Sequence, residues 1–142
     1  MKIKVLLVDD EEQFVDVLSQ RLIARDFDVV TALSGDEALS ILDNADIDVV
    51  VLDVMMPGRD GISTLTEIRR IRPLAEVIML TGNTTVETAI NGMKLGAYDY
   101  LLKPTDTAVL IEKLNKAYFR KKEQEERIRN AEVERIIKTK GY

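Results

Sequence analysis

Two hydrophobic periods alternate along the chain. Continuous apolar runs occupy residues 3–8, 29–32, 49–52, 77–80 and 98–102, several of them β-branched. Unbroken rather than alternating hydrophobicity predicts strands covered on both faces, as in a parallel sheet. Between the runs, apolar residues recur at helical spacing. One face is formed by Phe14, Val17, Leu18 and Leu22, a second by Ala38, Leu39 and Leu42, a third by Ile62, Leu65 and Ile68. Val86, Ala89, Ile90 and Met93 form a fourth, and Leu110, Ile111, Leu114, Ala117 and Tyr118 a fifth. Ser34 with Glu37, and Thr84 with Glu87, have the spacing of capping boxes. Pro73 closes the third helix, and Gly96 suits the position just past the fourth. The pattern predicts an α/β fold of the (βα)5 kind, with right-handed crossovers between parallel strands.

The fifth helix is expected to begin near Asp106 and to meet no stop signal before Gly141, an extended C-terminal helix. Residues 1–119 form the predicted domain, and residues 120–142 a charged helical extension rather than a second domain. The division follows charge: residues 1–119 hold 12 Lys/Arg against 20 Asp/Glu, and residues 120–142 hold 8 against 5. Ile128, Ala131, Val133, Ile136 and Ile137 give the extension some apolar character. Lys121, Gln124 and Arg135 interrupt a heptad seam continuing from Leu114 and Ala117, which argues against a strong coiled coil. The extension is therefore expected to fray beyond about Glu123 in a free monomer. Its expected use is as a weak dimer element or a docking surface.

Composition removes whole classes of chemistry. At 142 residues the chain is sized for one domain. It contains neither cysteine nor histidine, so thiol nucleophiles, disulfides, imidazole-based zinc sites and Ser-His-Asp triads are excluded. The apolar run at 5–8 is too short for a signal peptide. No stretch nears the roughly 18 apolar residues that a bilayer span requires. The net charge of −8 on residues 1–119 argues against binding of DNA or RNA by the body of the chain. Chemistry must then run on carboxylates, hydroxyls, lysines and backbone groups, with or without a hard metal ion.

In an open parallel sheet, ligands bind beyond the carboxyl ends of the strands. The first strand runs into Asp9, Asp10, Glu11 and Glu12; the third ends at Asp53, the fourth at Thr81 and Gly82, the fifth at Lys103 and Pro104. Singly, these residues read as helix caps and loop positions. Jointly, Asp9, Asp10 and Asp53 would repel one another unless a cation relieved them. A carboxylate trio without nitrogen or sulfur donors favours Mg²⁺ over zinc.

These residues also carry a resemblance. The chain resembles the receiver domain of bacterial two-component response regulators, from residue 3 to about 119. The matching motifs are Val-Asp-Asp-Glu-Glu at 8–12, Ser-Gly-Asp-Glu-Ala-Leu at 34–39 and Asp-Val-Met-Met-Pro-Gly-Arg-Asp-Gly at 53–61. Met-Leu-Thr-Gly at 79–82 and Gly-Ala-Tyr-Asp-Tyr-Leu-Leu-Lys-Pro at 96–104 complete the set. The stretch from Thr81 to Pro104 is most similar to nitrogen-regulation receivers.

The resemblance implies a doubly wound, flavodoxin-like sheet of order 2-1-3-4-5. It implies that Asp53 is the phosphoacceptor for a sensor histidine kinase or phosphotransfer protein. Asp9, Asp10, Asp53 and the backbone carbonyl of Met55 would hold Mg²⁺, and Thr81 and Lys103 would meet the phosphoryl oxygens. Thr81 and Tyr100 would form the switch acting on the α4-β5-α5 face, and Lys103–Pro104 would be a cis peptide. The expected protein is a cytoplasmic signalling switch rather than an enzyme, with an unidentified downstream protein target and no direct DNA or membrane contact. Residues 120–142 leave no room for an output domain. A stand-alone regulator is the expectation, and the receiver fragment of a longer transcriptional regulator the alternative. From another class, a flavodoxin-like cofactor module shares the architecture but wants a hydroxyl- and glycine-rich first loop where this chain is acidic.

Overall fold

The computed structural model describes residues 2–56, 58, 60–82 and 86–140. Five strands alternate with five helices: β1 (Lys4–Val8), α1 (Glu12–Ala24), β2 (Asp28–Ala32), α2 (Gly35–Asn44), β3 (Val49–Leu52), α3 (Gly61–Ile71), β4 (Glu76–Thr81), α4 (Val86–Lys94), β5 (Asp99–Leu102) and α5 (Thr107–Lys140). Every strand pairing is parallel, in the order β2-β1-β3-β4-β5. The strands fall within one residue of the apolar runs, because strands packed on both faces keep no polar face to blur the signal.

Alternate strand residues feed two separate cores. Leu6, Val8, Val50, Leu52, Val77 and Met79 face Ala38 and Leu42 of α2 and Leu65 and Ile68 of α3. Val5, Leu7, Val49, Val51, Ile78 and Leu80 face Val15, Leu18 and Leu22 of α1 and Leu110, Leu114 and Ala117 of α5. Burial of each such aliphatic side chain stabilises the fold by about 1.5–3 kcal/mol relative to exposure. Core packing thus fixes the central strands, and with them the residues at their ends.

Local signals position the helix ends. Ser34 caps α2 by accepting from the Glu37 N–H at 3.1 Å, while Glu37 reaches back to accept from the Leu33 N–H at 3.2 Å. Arg72 and Pro73 follow directly after α3. Gly96, at φ +102°, ends α4: its N–H bonds to Met93 O, and that of Ala97 to Gly92 O. The Thr84 cap expected for α4 lies outside the described residues. At the start of α5, Asp106 accepts from the Ala108 N–H at 2.8 Å.

Two helical faces differ from expectation. In α1 the core-facing residues are Val15, Leu18 and Leu22, whereas Val17 is 49% exposed. The stripe runs at i, i+3 and i+7, and Val17 sits about 100° from Leu18 around the helix. In α4 only Ala89 and Gly92 are buried, while Val86, Ile90 and Met93 face out. A Cβ on Gly92 would lie 2.2 Å from Met79 Cε. The helix therefore rests on β4 through its two smallest residues, and its larger side chains pass beside the sheet rather than onto it.

The C-terminal helix runs continuously through Lys140, as the lack of a stop signal before Gly141 predicts, and its contacts with the body reach past Tyr118. Lys121, read from sequence as an interruption of an apolar seam, is buried at the amino edge of the sheet. Its ammonium donates to Asp48 Oδ1 at 2.7 Å and lies 3.5 Å from Glu125 Oε1. Asp48 in turn accepts from the Lys4 N–H at 2.9 Å. From residue 126 to 140 every side chain is exposed.

Candidate functional site

Strand order reverses between β1 and β3, and backbone ladders carry the next residues into register there. The Asp9 N–H bonds to Ala32 O at 3.1 Å, the Asp53 N–H to Val8 O at 3.0 Å and the Lys103 N–H to Thr81 O at 2.9 Å. Each strand thus delivers a side chain to one edge at the same level. Asp9 and Asp53 are buried and Asp10 is exposed. A carboxylate oxygen from each of the three lies within 4.8 Å of the others.

The loops that follow fix the two buried carboxylates. Asp9 Oδ1 accepts from the Glu11 N–H at 2.9 Å, and Asp53 Oδ1 from the Met55 N–H at 3.0 Å. Gly61 comes back against the backbone of Val54, its N–H bonding to Val54 O at 3.2 Å. A Cβ on Gly61 would stand 2.1 Å from Val54 Cα, so only glycine allows this approach. Asp60 then caps α3 by accepting from the Ser63 N–H at 2.7 Å.

Lys103 reaches into the same space. Its ammonium lies 2.5 Å from Asp9 Oδ2, 3.2 Å from Glu11 Oε1 and 3.8 Å from Asp53 Oδ2. The Phe14 ring covers it at 4.3 Å. The Lys103–Pro104 peptide bond is cis. Burial alone would lower the Lys103 pKa, but the hydrogen bond and charge of Asp9, with Asp53 and Glu11, outweigh it and hold the pKa above its ordinary value. Burial raises the Asp9 carboxyl; Lys103 and the Glu11 N–H pull it back, and the charge of Asp53 adds to the rise. Two ionised carboxylates with oxygens 4.8 Å apart repel by about 3.5 kcal/mol at an effective dielectric near 20.

Among the described residues the site is short of positive charge and of hydrogen-bond partners. Thr81 is buried at the end of β4, and its hydroxyl has no partner among the described residues. A buried unpaired hydroxyl costs about 1–3 kcal/mol, so its place beside the carboxylates calls for an acceptor arriving from outside. The donor set of oxygen atoms alone fits a hard divalent cation.

The sequence-derived site residues Asp9, Asp10, Asp53, Thr81 and Lys103 thus share one edge. The Met55 side chain is exposed and its N–H is committed to Asp53. Tyr100 stands apart. It is 41% exposed on β5 and lines a groove of about 370 Å³ with Val86, Ala89, Ile90, Met93 and Lys94 of α4. Sequence reading treated Glu11 only as a first-turn acid and Phe14 only as a core residue. Their contacts with Lys103 span 92 and 89 positions, and no local pattern announces them.

A doubly wound sheet with a carboxylate pocket and a lysine at its switch point defines the CheY-like class of α/β domain. Within that class the chain belongs to the response regulator receiver domain family, whose model matches residues 5–115. It is 40% identical over 116 residues to the transcriptional regulatory protein ZraR of Salmonella typhimurium, covering 82% of this chain and 26% of that protein. It is 37% identical over 118 residues to a putative response regulator NtrX-like of Rickettsia conorii, covering 82% and 25%. The chain therefore spans about a quarter of the length of these relatives. Among solved structures it is similar to a response regulator receiver domain protein from Clostridium thermocellum, with TM-score 0.80, 38% identity, and coverage of 84% of this chain and 97% of that one. No helix among the described residues is long and apolar enough to cross a membrane.

Proposed function

We propose that Asp53 accepts a phosphoryl group from the phosphohistidine of a sensor kinase or phosphotransfer protein, and that this switches the α4-β5-α5 face for a protein target. The observation that carries the reading is the convergence of a buried carboxylate, two further carboxylates, a lysine and an unpartnered hydroxyl at the switch point. A Asp53 carboxylate oxygen attacks phosphorus; the new O–P bond forms as the P–N bond to the imidazole breaks, and the leaving imidazole takes up a proton. Asp10 would hold Mg²⁺ directly and Asp9 mainly through water, with Asp53 and the Met55 carbonyl as further ligands. When bound, the ion offsets charge on the transferring phosphoryl oxygens. Lys103 turns from Asp9 to one of those oxygens, and the Thr81 hydroxyl donates to another.

The Thr81 hydroxyl gains a partner in the phosphorylated state that it otherwise lacks. Its movement frees space behind it for the Tyr100 ring, which biases two arrangements of the α4-β5-α5 face. Exposed Val86, Ile90 and Met93 support that face as a protein contact. In this reading residues 1–119 are the switch and residues 120–142 its helical extension, serving weak self-association or partner docking. The protein modifies only itself, works in the cytoplasm beside its kinase, and reaches its output through protein rather than DNA.

Intact mass after treatment with acetyl phosphate and Mg²⁺ tests the reading. The wild type should gain one phosphoryl group and Asp53→Asn none. Equal labelling of the two would overturn the assignment of Asp53.

A further inference from the structure

Lys103 is the group that the proposed chemistry has to move, and its surroundings hold it on the wrong side. Its ammonium is nearest to Asp9, next to Glu11 and farthest from Asp53. The Phe14 ring covers another side, and the lysine side chain is only 11% exposed. The ammonium therefore has two destinations: the β1 side, where Asp9 and Glu11 wait, or the Asp53 side.

Glu11 is an unusual residue for its place. It is the N-cap of α1, where Ser, Thr, Asp or Asn would accept from the first turn, yet its side chain makes no cap hydrogen bond. The carboxylate instead crosses to Lys103. Phe14 follows three residues later, so the first turn of one helix presents both groups to the lysine.

We infer that Glu11 is a positioning residue that acts through Lys103, retaining its ammonium on the β1 side and setting how readily it swings to a phosphoryl oxygen on Asp53. The inference rests on the reading of Asp53 as acceptor. Asp9 alone is not a steady counterweight, because it is also drawn on by the cation. Glu11 keeps its hold when Asp9 is so engaged. Its carboxylate is 65% exposed, and solvent screening limits such a pair to a modest brake worth about threefold to fivefold in affinity. Glu12, one residue on, supplies a control. It carries the same charge and is exposed, but is not among the carboxylates paired with Lys103.

The test compares wild type, Glu11→Gln and Glu12→Gln as full chains by calorimetric titration with fluoroberyllate, a phosphoryl mimic, at saturating Mg²⁺. Glu11→Gln should bind about threefold to fivefold more tightly than wild type, with Glu12→Gln unchanged. Without metal, the Lys103 ammonium signal in ¹⁵N NMR should exchange faster with water in Glu11→Gln than in Glu12→Gln. Equal binding by the two variants, or weaker binding by Glu11→Gln, overturns the inference while leaving Asp53 as acceptor. A wild type that neither binds fluoroberyllate nor gains phosphoryl mass overturns the reading of Asp53, and the inference with it.

Discussion

The two edges of the sheet both bury charge, and they do so in opposite ways. At the amino edge each buried charge meets its opposite. Glu76 lies between Arg69 and Arg120, each at 3.9 Å, and Lys121 is held by its hydrogen bond to Asp48, with Glu125 Oε1 beside it at 3.5 Å as an ion-pair neighbour that makes no hydrogen bond among the described residues. At the carboxyl edge, among the described residues, Asp9, Glu11 and Asp53 share the single ammonium of Lys103, Asp10 adds a fourth carboxylate, and the Thr81 hydroxyl lacks a partner. A closed set of pairs ties elements together. A set left open holds an unfavourable state that, on the proposed function, an incoming cation and phosphoryl group would relieve. The contrast separates structural from functional charge more clearly than burial does, since Asp53 and Glu76 are about equally buried.

The sharpest way to break this comparison is to open the closed edge. Lys121→Met leaves Asp48 without its main partner, and removing one member of a buried pair costs about 3 kcal/mol. Urea denaturation should show that loss, with the rate of Asp53 phosphorylation by acetyl phosphate unchanged. A fall in the phosphorylation rate as large as the loss of stability would show that the two edges are not independent.

A smaller effect of opposite sign is expected at the open edge. Asp10→Ala removes one of three crowded carboxylates. In metal-free buffer it should leave stability equal to wild type or raise it by up to about 1 kcal/mol, because repulsion falls. Stabilisation of the fold by added Mg²⁺ should then disappear. Retained stabilisation by Mg²⁺ would remove Asp10 from the proposed ligands.

The finest test reads Glu76 through pH. Burial holds its folded-state pKa above the ordinary value of 4.5, with Arg120 and Arg69 only partly restoring it. The folded protein therefore binds the proton more tightly than the unfolded chain, and this group's contribution to stability falls as pH rises from 4.5 through the raised value. Glu76→Gln should match wild type below that window and gain slightly above it. A gain that is the same at every pH would assign the effect to packing rather than to ionisation.

What the sequence disclosed follows from how local each signal is. Strands covered on both faces announce themselves through composition, and Ser34 with Glu37 announces a cap within four residues. The site was legible because topology alone brings strand ends together: once β1, β3, β4 and β5 are placed, Asp9, Asp53, Thr81 and Lys103 must share an edge. The α4 stripe misled, because helical spacing specifies a face but not what covers it, and Gly92 over Met79 shifts the contact off that face. Lys121 misled for a related reason. Its partner Asp48 is 73 positions away, so a residue that anchors a helix read as a flaw in an apolar seam. The Glu11 and Phe14 contacts with Lys103 were hidden in the same manner.

The anchor at Lys121 also gives α5 the mechanics of a rod clamped near its middle. From Glu125 to Lys140 the helix runs free for about 22 Å at 1.5 Å per residue. A tilt of roughly 5° at the clamp displaces the free end by about 2 Å on that length. Two copies joined along this segment would thus register an angular change too small to disturb either core. The fulcrum stands at the edge of the sheet opposite Asp53, so on the proposed function a change at one end of the domain would be felt as leverage at the other.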